Sequence, residues 1–223
     1  MNSFVARIYL SSTLFLALSA EPLRASIIGV SGPTSGFGTA PMIIAAPANI
    51  LDDDVWNTGQ QGFNEAQGII TTVPHMIDGG GVIPAGTLVD SHMIFLNSPG
   101  PDLPGPTSLG HFGVIWTFDG IIIGIMSDRM GNLEVASTFE LGAPGTNYPA
   151  AAFDKRGIEA QGLGLGTEDG YFVLSPFTLR VAMEVREPGD WIRVVTTPVP
   201  EPATVVTFAA ALLALVLLRR KVR

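Results

Sequence analysis

The chain of 223 residues contains no cysteine. It therefore forms no disulfide and no thiolate metal site, and thiol catalysis is excluded. A domain without disulfides must be held together by its hydrophobic core, and about 170 residues are ample for one such domain. With only three histidines, the remaining site chemistry must come from carboxylates, hydroxyls and these imidazoles.

Basic residues are scarce, with 12 Lys and Arg against 20 Asp and Glu and a net charge of −8. Between Ser26 and Pro198 the imbalance is larger: 18 acidic residues face 6 basic ones, a net charge of −12. Such a surface repels phosphate backbones, so we expect no nucleic-acid partner. Solubility alone explains the negative sign.

The sequence lacks the common catalytic motifs. No two histidines are spaced as metal ligands, and neither His-Glu-x-x-His nor Gly-x-Ser-x-Gly is present. We therefore predict a protein without catalysis and without a cofactor, whose histidines are surface residues or hydrogen-bonded structural ones. A pair of carboxylates of the glycosidase kind is the open alternative, because the sequence gives no distance between them.

Long apolar runs are confined to the two ends of the chain. At the N-terminus, Arg7 precedes an apolar run over residues 8–20, and small residues follow. This is the layout of a secretory signal peptide, which we place at residues 1–25. Cleavage after Ala25 gives a mature start at Ser26, and cleavage after Ala20 is the alternative.

The C-terminal end, residues 199–223, has three parts. Pro200, Glu201 and Pro202 come first, and residues 203–218 follow without any charge, Gly or Pro. As a helix this stretch would reach about 24 Å, enough for a thinned bilayer or one with snorkelling basic ends. The basic tail closes the chain and should stay in the cytoplasm, leaving the body outside. Its cations are Arg219, Arg220, Lys221 and Arg223.

This ending resembles the PEP-CTERM sorting signal of Gram-negative bacteria, in which a Pro-Glu-Pro motif precedes a transmembrane helix and an Arg-rich terminus. The resemblance implies that exosortase, an integral membrane transpeptidase, recognises residues 200–202 and removes the helix during export. The protein would then sit transiently in the inner membrane with its body outside the cytoplasm, and later in the envelope or outside the cell. An ordinary tail anchor is the alternative.

Residues 26–198 form the predicted body. Gly and Pro recur every several residues, apolar runs are short, and no stretch keeps a 3.6-residue period. This pattern predicts an all-β fold, an antiparallel two-sheet sandwich of the jelly-roll kind. The alternation is clearest over residues 177–185, and we expect this strand to pair with residues 191–195 as a hairpin across residues 188–190.

Asp119-Gly120 predicts a second hairpin, because this dipeptide suits a tight turn between two apolar runs at residues 114–118 and 121–126. Other stretches read as single strands. They lie at residues 26–30, 42–45, 87–96 and 133–139.

The body also resembles a recurring type among bacterial PEP-CTERM proteins that has no assigned activity. The likeness therefore supports the domain boundary and the all-β fold more than any mechanism. It rests on short patches at residues 62–67, 83–96, 117–119, 141–143 with Tyr148, 156–159 and 188–196.

Two features of the body are candidate sites. Asp52, Asp53 and Asp54 crowd three carboxylates into one loop, but calcium loops use alternate positions, so we expect a solvated turn with a metal site as the alternative. Trp56 and Trp191 are candidates for stacking a sugar ring. Trp191 alternates with Arg193, which places it towards solvent or the sheet edge.

Together these features predict an exported structural or adhesive protein of the envelope or extracellular matrix. The alternative is a carbohydrate-binding module or glycan-active enzyme of the exopolysaccharide matrix, with extracellular polysaccharide as its partner.

Overall fold

A computed structural model describes residues 24–52, 54–97, 108–151, 156–158, 169–185 and 189–199. This part of the chain is mostly β, whereas the prediction was all-β, because it also contains one α-helix and a short 3-10 turn at Asp78–Gly80. The strands are β1 Ile27–Ser31, β2 Met42–Ile43, β3 Gln61–Asn64, β4 Ile69–Ile70, β5 His75–Met76, β6 Val82–Ile83, β7 Leu88–Leu96, β8 Leu109–Phe118, β9 Ile122–Met126, β10 Gly170–Ser175, β11 Thr178–Val185 and β12 Asp190–Thr196. The helix is α1, Asn132–Leu141.

The strands form two large sheets. One has the order β1-β8-β11-β10, and the other has the order β2-β3-β7-β12-β9 with β4 also paired to β7. All these pairs are antiparallel except β2 with β3. β5 and β6 make a separate two-stranded hairpin.

Both large sheets contribute side chains to one core cluster. From the four-stranded sheet come residues such as Trp116 and Val181, and from the six-stranded sheet residues such as Ile94 and Ile192. Because side chains alternate along a strand, their neighbours Met93 and Trp191 point to the outer face of the six-stranded sheet. That face is buried too, in a second cluster with Ile50, Phe63, Phe95 and Ala143.

Helix α1 belongs to the outer layer over the six-stranded sheet. Its Leu141 is buried against Val89, Met126 and Val195. The Asp128 carboxylate starts the helix, because its Oδ1 accepts the N–H of Leu133 at 2.8 Å and its Oδ2 accepts the Asn132 amide at 2.9 Å. Every residue of β12 is consequently buried.

The prediction of a strand over residues 133–139 is wrong, because these residues lie in α1. The buried positions of the helix are Glu134, Ser137 and Leu141, so its inward stripe is largely polar. Its Phe139 is 72% exposed. The sequence of α1 therefore lacks the apolar residues at 3.6-residue spacing by which a helix is usually recognised.

The two predicted hairpins are also wrong. β8 and β9 belong to different sheets, and so do β11 and β12. In the connection between β8 and β9, Gly120 allows the backbone to approach residue 197 closely, since a Cβ at Gly120 would lie 2.2 Å from the Thr197 carbonyl oxygen. At Asp119-Gly120 the chain passes from the four-stranded sheet to the six-stranded one, whereas residues 186–188 before β12 lie outside the described residues.

The other strand predictions hold in part or in full. Residues 87–96 and 177–185 contain β7 and β11, and residues 26–30 and 42–45 contain most of β1 and β2. No helix among the described residues is long and apolar enough to cross a membrane. The predicted signal peptide before Arg24, the membrane helix at residues 203–218 and the basic tail at 219–223 lie outside these residues.

Candidate functional site

A fully buried arginine organises the outer face of the six-stranded sheet. Arg193 lies on β12 with none of its side chain exposed. It binds Glu65, which follows β3, with two parallel hydrogen bonds: Nε donates to Oε2 at 2.7 Å and Nη2 donates to Oε1 at 2.9 Å. This fork-to-fork geometry is the strongest form of an Arg–carboxylate pair.

The remaining contacts of Glu65 come from two other parts of the chain. Ser91 on β7 donates its hydroxyl to Oε2 at 2.7 Å, and Tyr148 donates its hydroxyl to Oε1 at 2.7 Å. Both carboxylate oxygens thus accept two donors each. Burial, followed by the nearby Glu65 charge, raises the pKa of Tyr148, so the phenol keeps its proton.

The remaining guanidinium donors hold helix α1. Nη1 of Arg193 donates to the Glu134 carbonyl oxygen and to the Ser137 hydroxyl, both at 2.6 Å, and Nη2 donates to the Thr138 hydroxyl at 3.1 Å. These contacts explain why the inward stripe of α1 is polar. We call Glu65, Ser91, Tyr148, Ser137, Thr138 and Arg193 the arginine network.

Glu134 itself is an unpaired acid beside this network. Its side chain is buried, and within the described part of the chain neither carboxyl oxygen has a hydrogen-bond partner. Burial raises the pKa of Glu134 well above its ordinary value of 4.5, and the Asp128 and Asp78 carboxylates act in the same direction against Arg193. Burial thus favours the protonated, neutral form of this acid.

The three histidines are all hydrogen-bonded. His92 is fully buried on β7 between Asn64 Oδ1 at 2.9 Å and Thr196 Oγ1 at 3.0 Å, and burial lowers its pKa to about 3. His111 accepts the Gln60 N–H at 2.8 Å, and His75 lies 2.5 Å from Glu140. None of them contacts the hydroxyl of Ser91, which is bound to Glu65 instead.

The two tryptophan candidates have different environments. Trp191 is 2% exposed, its Nε1 donates to Asn97 Oδ1 at 3.1 Å, and the Arg156 guanidinium lies 4.9 Å from its ring. The expectation that it faces solvent or the sheet edge is wrong, because the outer layer covers it, and it offers no ring face to a sugar. Trp56 is 52% exposed and packs edge to face with Phe37, whose ring centroid is 6.4 Å away.

The acidic loop shows no gathering of its carboxylates. Asp52 lies 3.9 Å from the Arg156 guanidinium, and Asp54 accepts the Asn49 amide at 3.0 Å. Asp53 lies outside the described residues, and no group of three or more possible metal ligands occurs among those that are described. A metal at this loop therefore stays a prediction without structural support.

The arginine network was not predicted. One signal for it is present in the sequence: an arginine flanked by Trp, Ile and Val within a strand must find a carboxylate if the strand is buried. The patches quoted for the body resemblance supply four of its members, Glu65, Ser91, Tyr148 and Arg193. Which acid pairs with Arg193 depends on the fold.

Comparison with known proteins identifies one segment. Residues 198–221 match the model of the PEP-CTERM protein-sorting motif. No curated protein and no solved structure matches the chain. The chain thus carries the predicted sorting motif, which implies recognition by exosortase and export across the inner membrane towards the envelope, whereas the resemblance of its body to a PEP-CTERM group stays a prediction.

Arg193→Met should destabilise the protein by about 3–5 kcal/mol, because it leaves the Glu65 carboxylate buried without its cation. Urea unfolding followed by tryptophan fluorescence measures the change. Arg180→Met, on the partly exposed strand β11, is the matched control and should cost about 0.5 kcal/mol or less. A loss below about 1 kcal/mol for Arg193→Met would show that the network contributes little.

Glu134→Gln should remove a pH dependence. The raised folded-state pKa means that the wild-type chain loses stability as pH rises from about 4.5 towards the folded pKa, because the unfolded state releases its proton first. Below pH 4.5 this cost is absent. Unfolding free energies at pH 4 and pH 7 should therefore differ less in Glu134→Gln than in wild type, and an equal difference would contradict a raised pKa of Glu134.

Proposed function

We propose, with the sorting motif as the premise, that this chain is a non-catalytic structural or adhesive protein of the cell envelope or extracellular matrix. The helix at residues 203–218 would anchor it in the inner membrane until exosortase acts. The body, a two-sheet sandwich of the jelly-roll kind, would then be delivered to the envelope or released.

The polar groups in the body support a structural role. The Glu65 carboxylate is saturated by four donors, and His92 uses both ring nitrogens on Asn64 and Thr196. A general base or nucleophile needs an unoccupied position facing a substrate. Polar groups whose hydrogen bonds are all made within the protein instead hold the strands and the helix in one arrangement.

The observation that carries the proposal is the exposed strand β10. Within the described part of the chain it is one of the two edge strands of the four-stranded sheet, the other being β1. Its residues Phe172, Val173 and Leu174 and the adjoining Phe177 are 41–48% exposed. Consecutive residues point to opposite faces, so both faces of this strand contact solvent. An uncharged apolar edge of this kind favours pairing with another chain.

Val173→Lys should abolish such pairing, because a charge at the centre of the edge must lose its hydration when a strand docks. In sedimentation velocity of the exported protein we expect concentration-dependent association for wild type and a dissociation constant raised about tenfold or more in the variant. Phe139→Lys, an exposed apolar residue on α1 away from this edge, is the control. A wild-type chain that stays monomeric at high concentration would contradict an adhesive edge.

A second candidate function is carbohydrate binding. Phe37 and Trp56 present two half-exposed rings at right angles, with an interplanar angle of 86°. Aromatic faces of this kind stack on the apolar face of a sugar ring, which an exopolysaccharide would supply. The observation that favours this function is the exposure of both rings side by side.

Trp56→Ala should weaken glycan binding about tenfold or more if this candidate function is correct, since it removes one of the two stacking surfaces. A glycan array with the exported wild-type protein identifies the sugar class, and titration with that sugar measures the loss. Phe139→Ala removes a ring that is more exposed, 72% against 52% for Trp56, and lies elsewhere, so it should not alter binding. Release of shorter sugars during the titration would identify a glycan-active enzyme, and an array without binding would leave the structural role.

A further inference from the structure

The start of β1 is held by side chains from three different parts of the fold. The backbone N–H groups of Ala25, Ser26 and Ile27 donate in turn to Asp90 Oδ2 at 2.5 Å, Asp119 Oδ1 at 2.5 Å and Asn64 Oδ1 at 3.0 Å. Asp90 lies on β7, Asn64 lies on β3, and Asp119 follows β8. We call Asn64, Asp90 and Asp119 the N-terminal cradle.

The cradle contains two acidic side chains, whereas the backbone N–H groups that it binds are uncharged. Asp90 is fully buried, and it also accepts the N–H of Gly68. Burial raises the pKa of Asp90, and the neighbouring Asp119 carboxylate adds to this rise, while the exposed Arg24 opposes it from a distance. Among the described residues, no Lys, Arg or His forms an ion pair with either aspartate.

The amide N–H groups of Ala25 and Gly68 already stabilise the charged form of Asp90, but they bring no positive charge, which an ammonium group would supply. Two neighbouring acids, one of them buried, cost free energy unless a cation offsets their charges. Charge-assisted hydrogen bonds are about twice as strong as neutral ones. The geometry therefore points to a positive charge at the nitrogen atoms that the cradle already surrounds.

Removal of the signal peptide supplies that charge. Hydrolysis of the Ala25–Ser26 peptide bond by a signal peptidase consumes one water, leaves a carboxylate on Ala25 and leaves on Ser26 an amine that takes up a proton. We propose that Asp90 and Asp119 bind this α-ammonium group in the mature protein, and that the cut therefore falls after Ala25 rather than after Ala20.

The contacts account for each group in the new arrangement. The Ser26 nitrogen is already 2.5 Å from Asp119, and an ammonium group has three donors where the amide has one. The cut removes the Ala25 N–H from Asp90 and takes the buried Ala25 side chain out of the fold. In the proposed arrangement a further donor of the Ser26 ammonium group takes the place of that N–H. Ile27 keeps its bond to Asn64, so β1 stays in register.

The N-terminus of the exported protein is the first test. The full-length chain is produced with its own signal in a Gram-negative host, and the N-terminal peptide of the exported product is identified by mass spectrometry. We expect Ser26. An exported product that starts at Glu21 would overturn the inference while leaving export intact, whereas an uncut chain in the cytoplasm would contradict export as well.

The reactivity of the amine is the second test, and it needs no variant. Acetylation of the α-amine at pH 7 by N-hydroxysuccinimide acetate should be at least about tenfold slower in the native exported protein than in urea, because two carboxylates hold the group protonated. Equal rates, after correction for the reactivity of the reagent in urea, would show an ammonium group that the cradle does not bind.

A charge-removing variant then separates an ammonium group from an amide. Asp119→Asn keeps the acceptor oxygen and the shape, so it would matter little for a neutral N–H. For an ammonium group we expect Tm to fall by about 4–10 °C and the acetylation rate to rise towards that in urea. Asp54→Asn, an exposed acid, is the control and should change neither. Unchanged Tm and rate in Asp119→Asn would overturn the inference.

Discussion

The ion pair between Arg193 and Glu65 is the contact on which the outer layer depends. Placing a guanidinium on the buried face of a sheet costs several kcal/mol unless a carboxylate and further acceptors surround it. Glu65 supplies the charge, and helix α1 supplies a carbonyl and two hydroxyls. The ion pair therefore requires polar groups on the side of α1 that faces the six-stranded sheet. The same hydrogen bonds hold α1 against that sheet.

Sequence patterns located strands well and their partners badly. Alternation over residues 177–185 predicted β11, and the apolar run that ends residues 87–96 predicted β7, both of whose faces are buried. The partners depend on contacts between distant residues, and the local signals at Asp119-Gly120 and at residues 188–190 indicate only that the chain changes direction. Helix α1 escaped notice because Glu134 and Ser137, which face inward, are polar. Because that layer was not foreseen, Trp191 was expected to face solvent or the sheet edge.

The functional sites also differ in whether the sequence alone could predict them. The sorting motif is a contiguous segment, so the sequence alone predicted it and the match to residues 198–221 agrees. The arginine network and the N-terminal cradle are each built from several strands or loops, and no spacing in the sequence brings Asp90 next to Asp119. Exposure is equally a property of the fold: Trp56 and Trp191 look alike as sequence positions, yet one ring is open and the other lies under Arg156.

The position of β12 has a consequence for the order of events during biogenesis. This strand lies between β7 and β9, and it ends at Thr196, two residues before the matched sorting motif begins at residue 198. The strand at the centre of this part of the larger sheet is therefore the last of the described strands to leave the ribosome. Until it arrives, β7 and β9 lack the neighbour that joins them, so synthesis of the body must be nearly complete before the larger sheet can close.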